Sequence, residues 1–227
     1  MSGEHTVQRG DCRVTTITTG RWKEHCYVVQ HLPSSDAIIV DPGEEAEAIV
    51  AALREDRARP RAMVLTHAHY DHVGALAALG REFGIPFYLH AADVKLLRRA
   101  PMYAMRFDGA TLAAPGDGHD VLTADLSLGG RSVRVLHVPG HTEGGMAYDF
   151  GDFVFTGDTL LFQTVGRTDL PGGAPQTLRE SVPRLLDWAG RDDTMLFAGH
   201  GRPWTAGDAR RWWQSDGCEE TVARRGA

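Results

Sequence analysis

The chain has 227 residues, 42% of them hydrophobic and 24% charged, and its 24 basic and 30 acidic residues give a net charge of −6. That length suits one well-buried core and falls short of two full domains, so a single domain spanning residues 1–227 is expected. An acidic balance with interspersed signs weighs against nucleic acid as a partner, and no run nears the roughly 18 apolar residues of a membrane span.

The first residues, Met1-Ser2-Gly3-Glu4-His5, are polar and lack the basic-then-apolar order of a secretion signal, so a cytoplasmic protein is expected. Cys12 to Thr19 and Glu24 to Gln30 are rich in Val, Thr, Ile and Tyr with a Gly20-Arg21 break between them, the pattern of a hairpin. Cys26 lies within an apolar run and reads as a small core residue. The wide spacing of Cys12, Cys26 and Cys218 suits a reducing compartment rather than a disulfide framework. Asp36 to Asp41 is a short strand ended by Pro42-Gly43. From Glu44 to Arg57 the apolar positions 46, 49, 50 and 53 mark an amphipathic helix. Arg61 to Thr66 reads as a strand, Asp71 to Phe83 as a helix ending near Gly84, Pro86 to Leu89 as a strand and Ala91 to Arg99 as a short helix. Between about Pro101 and Asp120 periodicity fails. Met102, Tyr103, Met105 and Phe107 mix with glycines there, as in a pocket wall or an irregular loop.

The second half repeats this grammar. Ser132 to Val138, Gly145 to Phe150, Phe153 to Thr156 and Thr194 to Ala198 read as strands. Ala174 to Trp188 and Gly207 to Gln214 read as helices. Two halves, each with strands before helices, imply two sheets packed together with helices outside. Trp204, Trp212 and Trp213 read as packing for the last helix.

Eleven histidines stand out. Three of them share the segment Thr66-His67-Ala68-His69-Tyr70-Asp71-His72, where a strand turns toward a helix. Residues two apart in extended backbone point the same way, so His67 and His69 can face one target, and Asp71 and His72 follow at once. A catalytic zinc takes three protein ligands and keeps one position open, so four clustered donors point to two metal ions. Three later segments each run from an apolar strand through glycine to a further donor: Gly140-His141, Gly157-Asp158 and Gly199-His200.

The ordered pieces THAHYDHVG, HVPGHT, FTGDTL and AGHG, together with VDPG at 40–43, resemble the metallo-β-lactamase superfamily, and within it the glyoxalase II-like (hydroxyacylglutathione hydrolase-like) enzymes. The resemblance implies an α+β fold, an αββα sandwich of two packed sheets flanked by helices. It implies that His67, His69 and His141 bind one metal, that Asp71, His72 and His200 bind another, and that Asp158 bridges them. It further implies thioester hydrolysis by a metal-bound hydroxide, with Asp71 and Asp158 catalytic. The ions would be two divalent metals, with zinc expected and iron or manganese also suited to these donors. A GRTD segment at 166–169 also resembles persulfide dioxygenases, but Thr164-Val165 before it and Leu170-Pro171 after it lean toward a hydrolase. Arg167 and Asp169 are expected to pair and brace that loop.

A thiolate, with a solution pKa of roughly 8.5, leaves without a general acid, and the motifs offer no spare Glu or Lys. That favours an acyl thioester as the small-molecule substrate. Only 27 residues follow His200, too few for the C-terminal helical region that binds glutathione in full-length glyoxalase II enzymes. Another thiol carrier, or a lactone, is therefore open. A lactonase or esterase of the same fold and a single-iron persulfide dioxygenase are the alternatives, and a β-lactamase fits less well. Tyr103, Met105, Arg106 and Phe162 are pocket candidates. Oligomeric state is not legible.

Overall fold

A computed structural model describes residues 5–215; Cys218 and the first four residues lie outside them. The chain divides into two compact units, Met1–Ser132 and Val133–Ala227. Among the described residues no helix is long and apolar enough to cross a membrane.

In the first unit, β1 (His5–Arg9), β2 (Cys12–Thr19), β3 (Glu24–His31), β4 (Asp36–Val40), β5 (Arg59–Val64), β6 (Phe87–Leu89) and β7 (His119–Asp120) form one seven-stranded sheet in chain order among the described residues. Pairing is antiparallel through β4 and parallel from β4 to β7. The switch follows from the connections. Short turns join the early strands, whereas β4 reaches β5 through the helix α1 (Ala46–Glu55) and β5 reaches β6 through α2 (Leu76–Phe83). Ile17, Cys26, Val28 and Ile39 of the sheet share a core with Ile49 and Leu53 of α1, Leu76 and Leu79 of α2 and Leu97 of α3 (Val94–Asp108). Cys26 is fully buried and a free thiol, as expected of a core residue, and burial pushes its pKa up.

Two expectations for this unit are corrected. Residues 71–83 are not one helix: Tyr70–His72 form a single 3-10 turn and α2 begins only at Leu76. A Cβ on Gly74 would lie 2.5 Å from the Gly43 carbonyl oxygen, and Ala75 N donates to the Pro42 carbonyl at 3.1 Å, so the Pro42-Gly43 turn packs where a continuous helix would run. The segment after Arg99 is not irregular. Helix α3 continues through Pro101 to Asp108 and ends at Gly109 with φ 64°. Proline removes one helical N–H, yet Leu97, Ala100 and Ala104 keep burying one face across it. The irregular stretch begins at Gly109.

In the second unit, β8 (Arg134–His137), β9 (Met146–Asp149), β10 (Phe153–Gly157), β11 (Met195–Ala198) and β12 (Trp204–Thr205) form a five-stranded sheet in that order, with β10 and β11 parallel. The helix α4 (Pro175–Trp188) connects these two and α5 (Ala206–Trp213) follows β12. Pro175 opens α4, where its missing N–H costs nothing, and the Thr205 hydroxyl caps α5 by accepting from Asp208 N at 3.1 Å. Val138, Val154 and Leu196 meet Leu178, Val182 and Leu185 of α4 in the core. Trp204 is buried there, with Trp212 and Trp213 packed beside it as expected.

Candidate metal centre

Parallel register sets up the first cluster of donors. Val40 of β4 lies opposite Val64 of β5, so both strands end at one sheet edge and the residues after them, Asp41 and Thr66, meet. Asp41 adopts φ 47°, a left-handed conformation that Asp tolerates better than most residues, and its N–H donates to the Val64 carbonyl at 3.0 Å. Its buried carboxylate accepts from Thr66 N at 2.6 Å through Oδ1 and from the Thr66 hydroxyl at 2.5 Å through Oδ2. Oδ2 also lies 3.1 Å from His72 Nδ1.

These contacts fix the histidine tautomers. The single hydroxyl proton of Thr66 goes to Asp41, so at the 3.1 Å contact with His67 Nδ1 the hydroxyl must accept, and His67 carries its proton on Nδ1. A carboxylate only accepts, so His72 is likewise protonated at Nδ1 by its contact with Asp41. Each ring then directs the lone pair of Nε2 outward, the form in which imidazole binds metal, with a protein acceptor behind it. The rings of His67 and His72 lie 4.1 Å apart and those of His67 and His69 4.8 Å apart. Asp71 Oδ2 is 3.8 Å from His72 Nε2. Donor atoms of Asp41, His67 and His72 could themselves converge on an ion, but Asp41 already accepts from the polypeptide through both oxygens, which makes it an orienting group.

Helix α3 is tied to this loop at both ends. At its start, buried Asp93 accepts from the backbone N of Ala68, between His67 and His69, at 3.1 Å. At its end, Phe107 stacks on Tyr70 at 6.1 Å and Asp108 accepts from Trp22 Nε1 at 3.0 Å. Burial, then the Asp108 carboxylate, pushes the Tyr70 phenol above its usual pKa. Beneath the loop, Glu24 is fully buried, accepts from the Thr19 hydroxyl at 2.8 Å and lies 3.8 Å from His72 Nδ1. Burial pushes its carboxyl well above the ordinary range, and the carboxylates of Asp41 and Asp71 add to that against the opposing pull of His72.

The second cluster is built by the same device. Gly157 of β10 is paired with Ala198 of β11, and Gly199 N donates to the Gly157 carbonyl at 3.1 Å, so Asp158 and His200 leave the sheet side by side. His141 arrives from the turn after β8. Its Nδ1 lies 2.7 Å from the carbonyl oxygen of Arg167, which can only accept, so Nε2 again carries the lone pair. Asp158 Oδ2 lies 3.7 Å from His141 Nε2 and 3.6 Å from His200 Nε2. Those separations exceed a hydrogen bond. They suit donors sharing an ion, since ligands each about 2.1 Å from a tetrahedral metal lie roughly 3–4 Å apart. His/Asp composition, tied-off Nδ1 atoms and these spacings all fit divalent metal.

The seven expected ligands therefore fall into two prepared sets: His67, His69, Asp71 and His72 in the first unit, and His141, Asp158 and His200 in the second. Asp41, Thr66 and Asp93 were missed as orienting residues. The VDPG segment carried a hint of Asp41, whereas Asp93 left none. Of the pocket candidates, Tyr103, Met105 and Arg106 lie on α3, while Phe162 is packing: its ring meets Trp204 at 5.3 Å under the Arg202 guanidinium. Arg167 and Asp169 pair through two contacts of 2.6 Å, as expected, but both are about half exposed. Arg167→Ala is accordingly expected to change stability by less than about 1 kcal/mol in urea denaturation, because solvent screens such a pair. The backbone carbonyl of Arg167, which the substitution leaves in place, does the work at His141.

Comparison with known proteins agrees with this geometry. Residues 19–200 match the metallo-beta-lactamase superfamily. The hydroxyacylglutathione hydrolase GloC of Haemophilus influenzae is 32% identical over 204 residues, covering 87% of this chain and 95% of that protein. The crystal structure of TTHA1623 in a di-iron-bound form is 36% identical, with a TM-score of 0.77 over 86% of this chain and 96% of that one. The BLEG-1 B3 metallo-beta-lactamase is 33% identical, with a TM-score of 0.78 over 86% of this chain and 94% of that one. This agreement bears out the α+β fold class expected from the sequence.

Proposed function

The chain belongs to the metallo-β-lactamase superfamily of metal-dependent hydrolases, and on that premise we propose that it hydrolyses a thioester at two divalent metal ions. In this reading residues 1–227 act as one functional domain. His67, His69 and His141 hold one ion, Asp71, His72 and His200 hold the other, and Asp158 serves both. The observation that carries the reading is the common state of His67, His72 and His141. Each has its Nδ1 proton committed to a protein oxygen, which makes Nε2 the lone-pair atom of the ring.

Divalent ions supply Lewis acidity, which makes a water nucleophile available near neutral pH and offsets negative charge on a carbonyl oxygen. The protein's own part is orientation and charge. Asp158 offers a carboxylate oxygen between two imidazoles, and half-buried Asp71 can accept the proton released by the nucleophile. The departing thiolate needs no proton donor, in keeping with motifs that bring no lysine or spare glutamate. The likeness to GloC supports the same substrate class. We assign zinc, with iron as the alternative that the di-iron form of TTHA1623 makes concrete. The buried free thiol of Cys26 accords with a cytoplasmic location.

Elemental mass spectrometry of protein purified without added metal is expected to give two equivalents per chain. Thiol release from S-lactoylglutathione, followed with a disulfide reagent, is expected to stop on chelation and return on reconstitution. A chain that takes up no metal overturns the reading. One that binds two ions and opens lactones without releasing thiol from any thioester replaces its substrate class.

A further inference from the structure

Helix α3 carries an exposed face with no partner in the fold. Lys95, Arg99, Met102 and Arg106 recur at i, i+4, i+7 and i+11, a single stripe on an α-helix, and all four are exposed. The protein is acidic overall, and its arginines are commonly held by carboxylates, as Arg13, Arg61, Arg191 and Arg210 are. Among the described residues no carboxylate pairs with Lys95, Arg99 or Arg106. Apolar surface flanks the stripe on the same helix. Of the five large hydrophobic side chains exposed among the described residues, Met102, Met105 and Phe107 belong to α3, and Trp22 is bonded to its last residue, Asp108. Such a concentration marks an interaction surface, and methionine is the side chain that adapts best to a partner.

The face is continuous with the proposed site. Phe107 stacks on Tyr103 at 6.0 Å and on Tyr70 at 6.1 Å, and Tyr70 sits in the chain between His69 and Asp71. From Lys95 to Arg106 the stripe runs about 16 Å on a convex helix. Small ligands are bound in concave sites, so a surface of this length and shape suits a macromolecule. Unpaired cations on an otherwise acidic protein select and orient an acidic one.

We propose that the exposed face of α3 docks an acidic carrier protein that presents the acyl thioester to the metal centre on a flexible thiol arm. This rests on the thioesterase reading and names the carrier. The test compares one hexanoyl thioester on two thiols: the phosphopantetheine arm of an acidic helical carrier protein, and glutathione. For the metal-loaded enzyme, the double variant Lys95→Glu/Arg99→Glu is expected to raise KM for the carrier-bound substrate at least about tenfold and to flatten its salt dependence. Its kinetics on the glutathione thioester should match those of the unsubstituted enzyme. Calorimetric titration with the carrier alone should show the same loss of binding. Unchanged carrier kinetics and binding in the double variant would overturn the proposal, as would binding to anionic phospholipid vesicles that alone responds to the substitution. If neither thioester is cleaved, the catalytic reading fails, and the titration still decides whether the face docks the carrier.

Discussion

Asp41→Ala is expected to cost roughly 3–5 kcal/mol of stability and to weaken metal binding by about 10- to 100-fold, although Asp41 is not among the proposed ligands. One buried carboxylate accepts from Thr66 N, the Thr66 hydroxyl and His72 Nδ1 at 2.6, 2.5 and 3.1 Å. Removing it strands buried donors at about 1–3 kcal/mol each, partly offset where water enters. It also releases the tautomers, because the Thr66 hydroxyl is no longer obliged to accept from His67 and His72 loses the acceptor behind it. Asp41→Asn separates the two effects. Asparagine keeps the volume and tolerates the left-handed backbone, but its amide N–H₂ facing His72 favours the tautomer with the proton on Nε2. The asparagine variant should therefore unfold in urea at a higher midpoint than the alanine variant while still binding metal poorly. Equal metal affinity in Asp41→Asn and the unsubstituted protein would remove Asp41 from the orienting role.

The residues proposed as ligands were legible in the sequence because chemistry and local geometry coincide there. Three imidazoles and a carboxylate lie within six residues at a strand end, and three later strands each end in glycine and a donor. The parallel sheet helices followed from apolar spacing, as with Ile49 and Leu53 of α1. Tertiary contact decided what was missed. The break between His72 and Leu76 depends on the Pro42-Gly43 turn packed against Gly74, more than thirty residues earlier in the chain. The continuation of α3 through Pro101 depends on a buried face formed by Leu97, Ala100 and Ala104, which outweighs one absent N–H. Asp41 becomes an orienting group only through the register that sets Val40 opposite Val64. Strand β1 and the short pair Leu160–Leu161 with Thr164–Val165 gave no periodic signal: β1 holds a single apolar residue, Val7, and the pair has two residues a strand, so pairing alone defines them.

Gly166→Ala should damage the second cluster as severely, through space alone. Its backbone is not in the left-handed region, so alanine meets no conformational penalty. A Cβ there would, however, lie 2.0 Å from the Asp158 carbonyl oxygen and 2.7 Å from His141 Nδ1. The first obstacle is backbone and cannot rotate away; the second is the imidazole atom whose proton is held by the next residue's carbonyl, 2.7 Å away on Arg167. Either response moves a donor: displacing residues 166–167 withdraws the acceptor behind His141, and displacing residue 158 shifts the shared carboxylate. We expect a stability loss of about 2–3 kcal/mol, typical of forced overpacking, and metal affinity lower by at least about tenfold. Gly80→Ala is the matched control. Gly80 lies inside α2 with only Met63 Cε at 4.0 Å from the added carbon, so alanine there should stabilise the protein by roughly 0.5–1 kcal/mol and leave metal content at two equivalents. If Gly166→Ala keeps full metal content and the control's stability, the Arg167 carbonyl does not hold His141 in the way the tautomer requires, and the second cluster loses its claim to be prepared for metal.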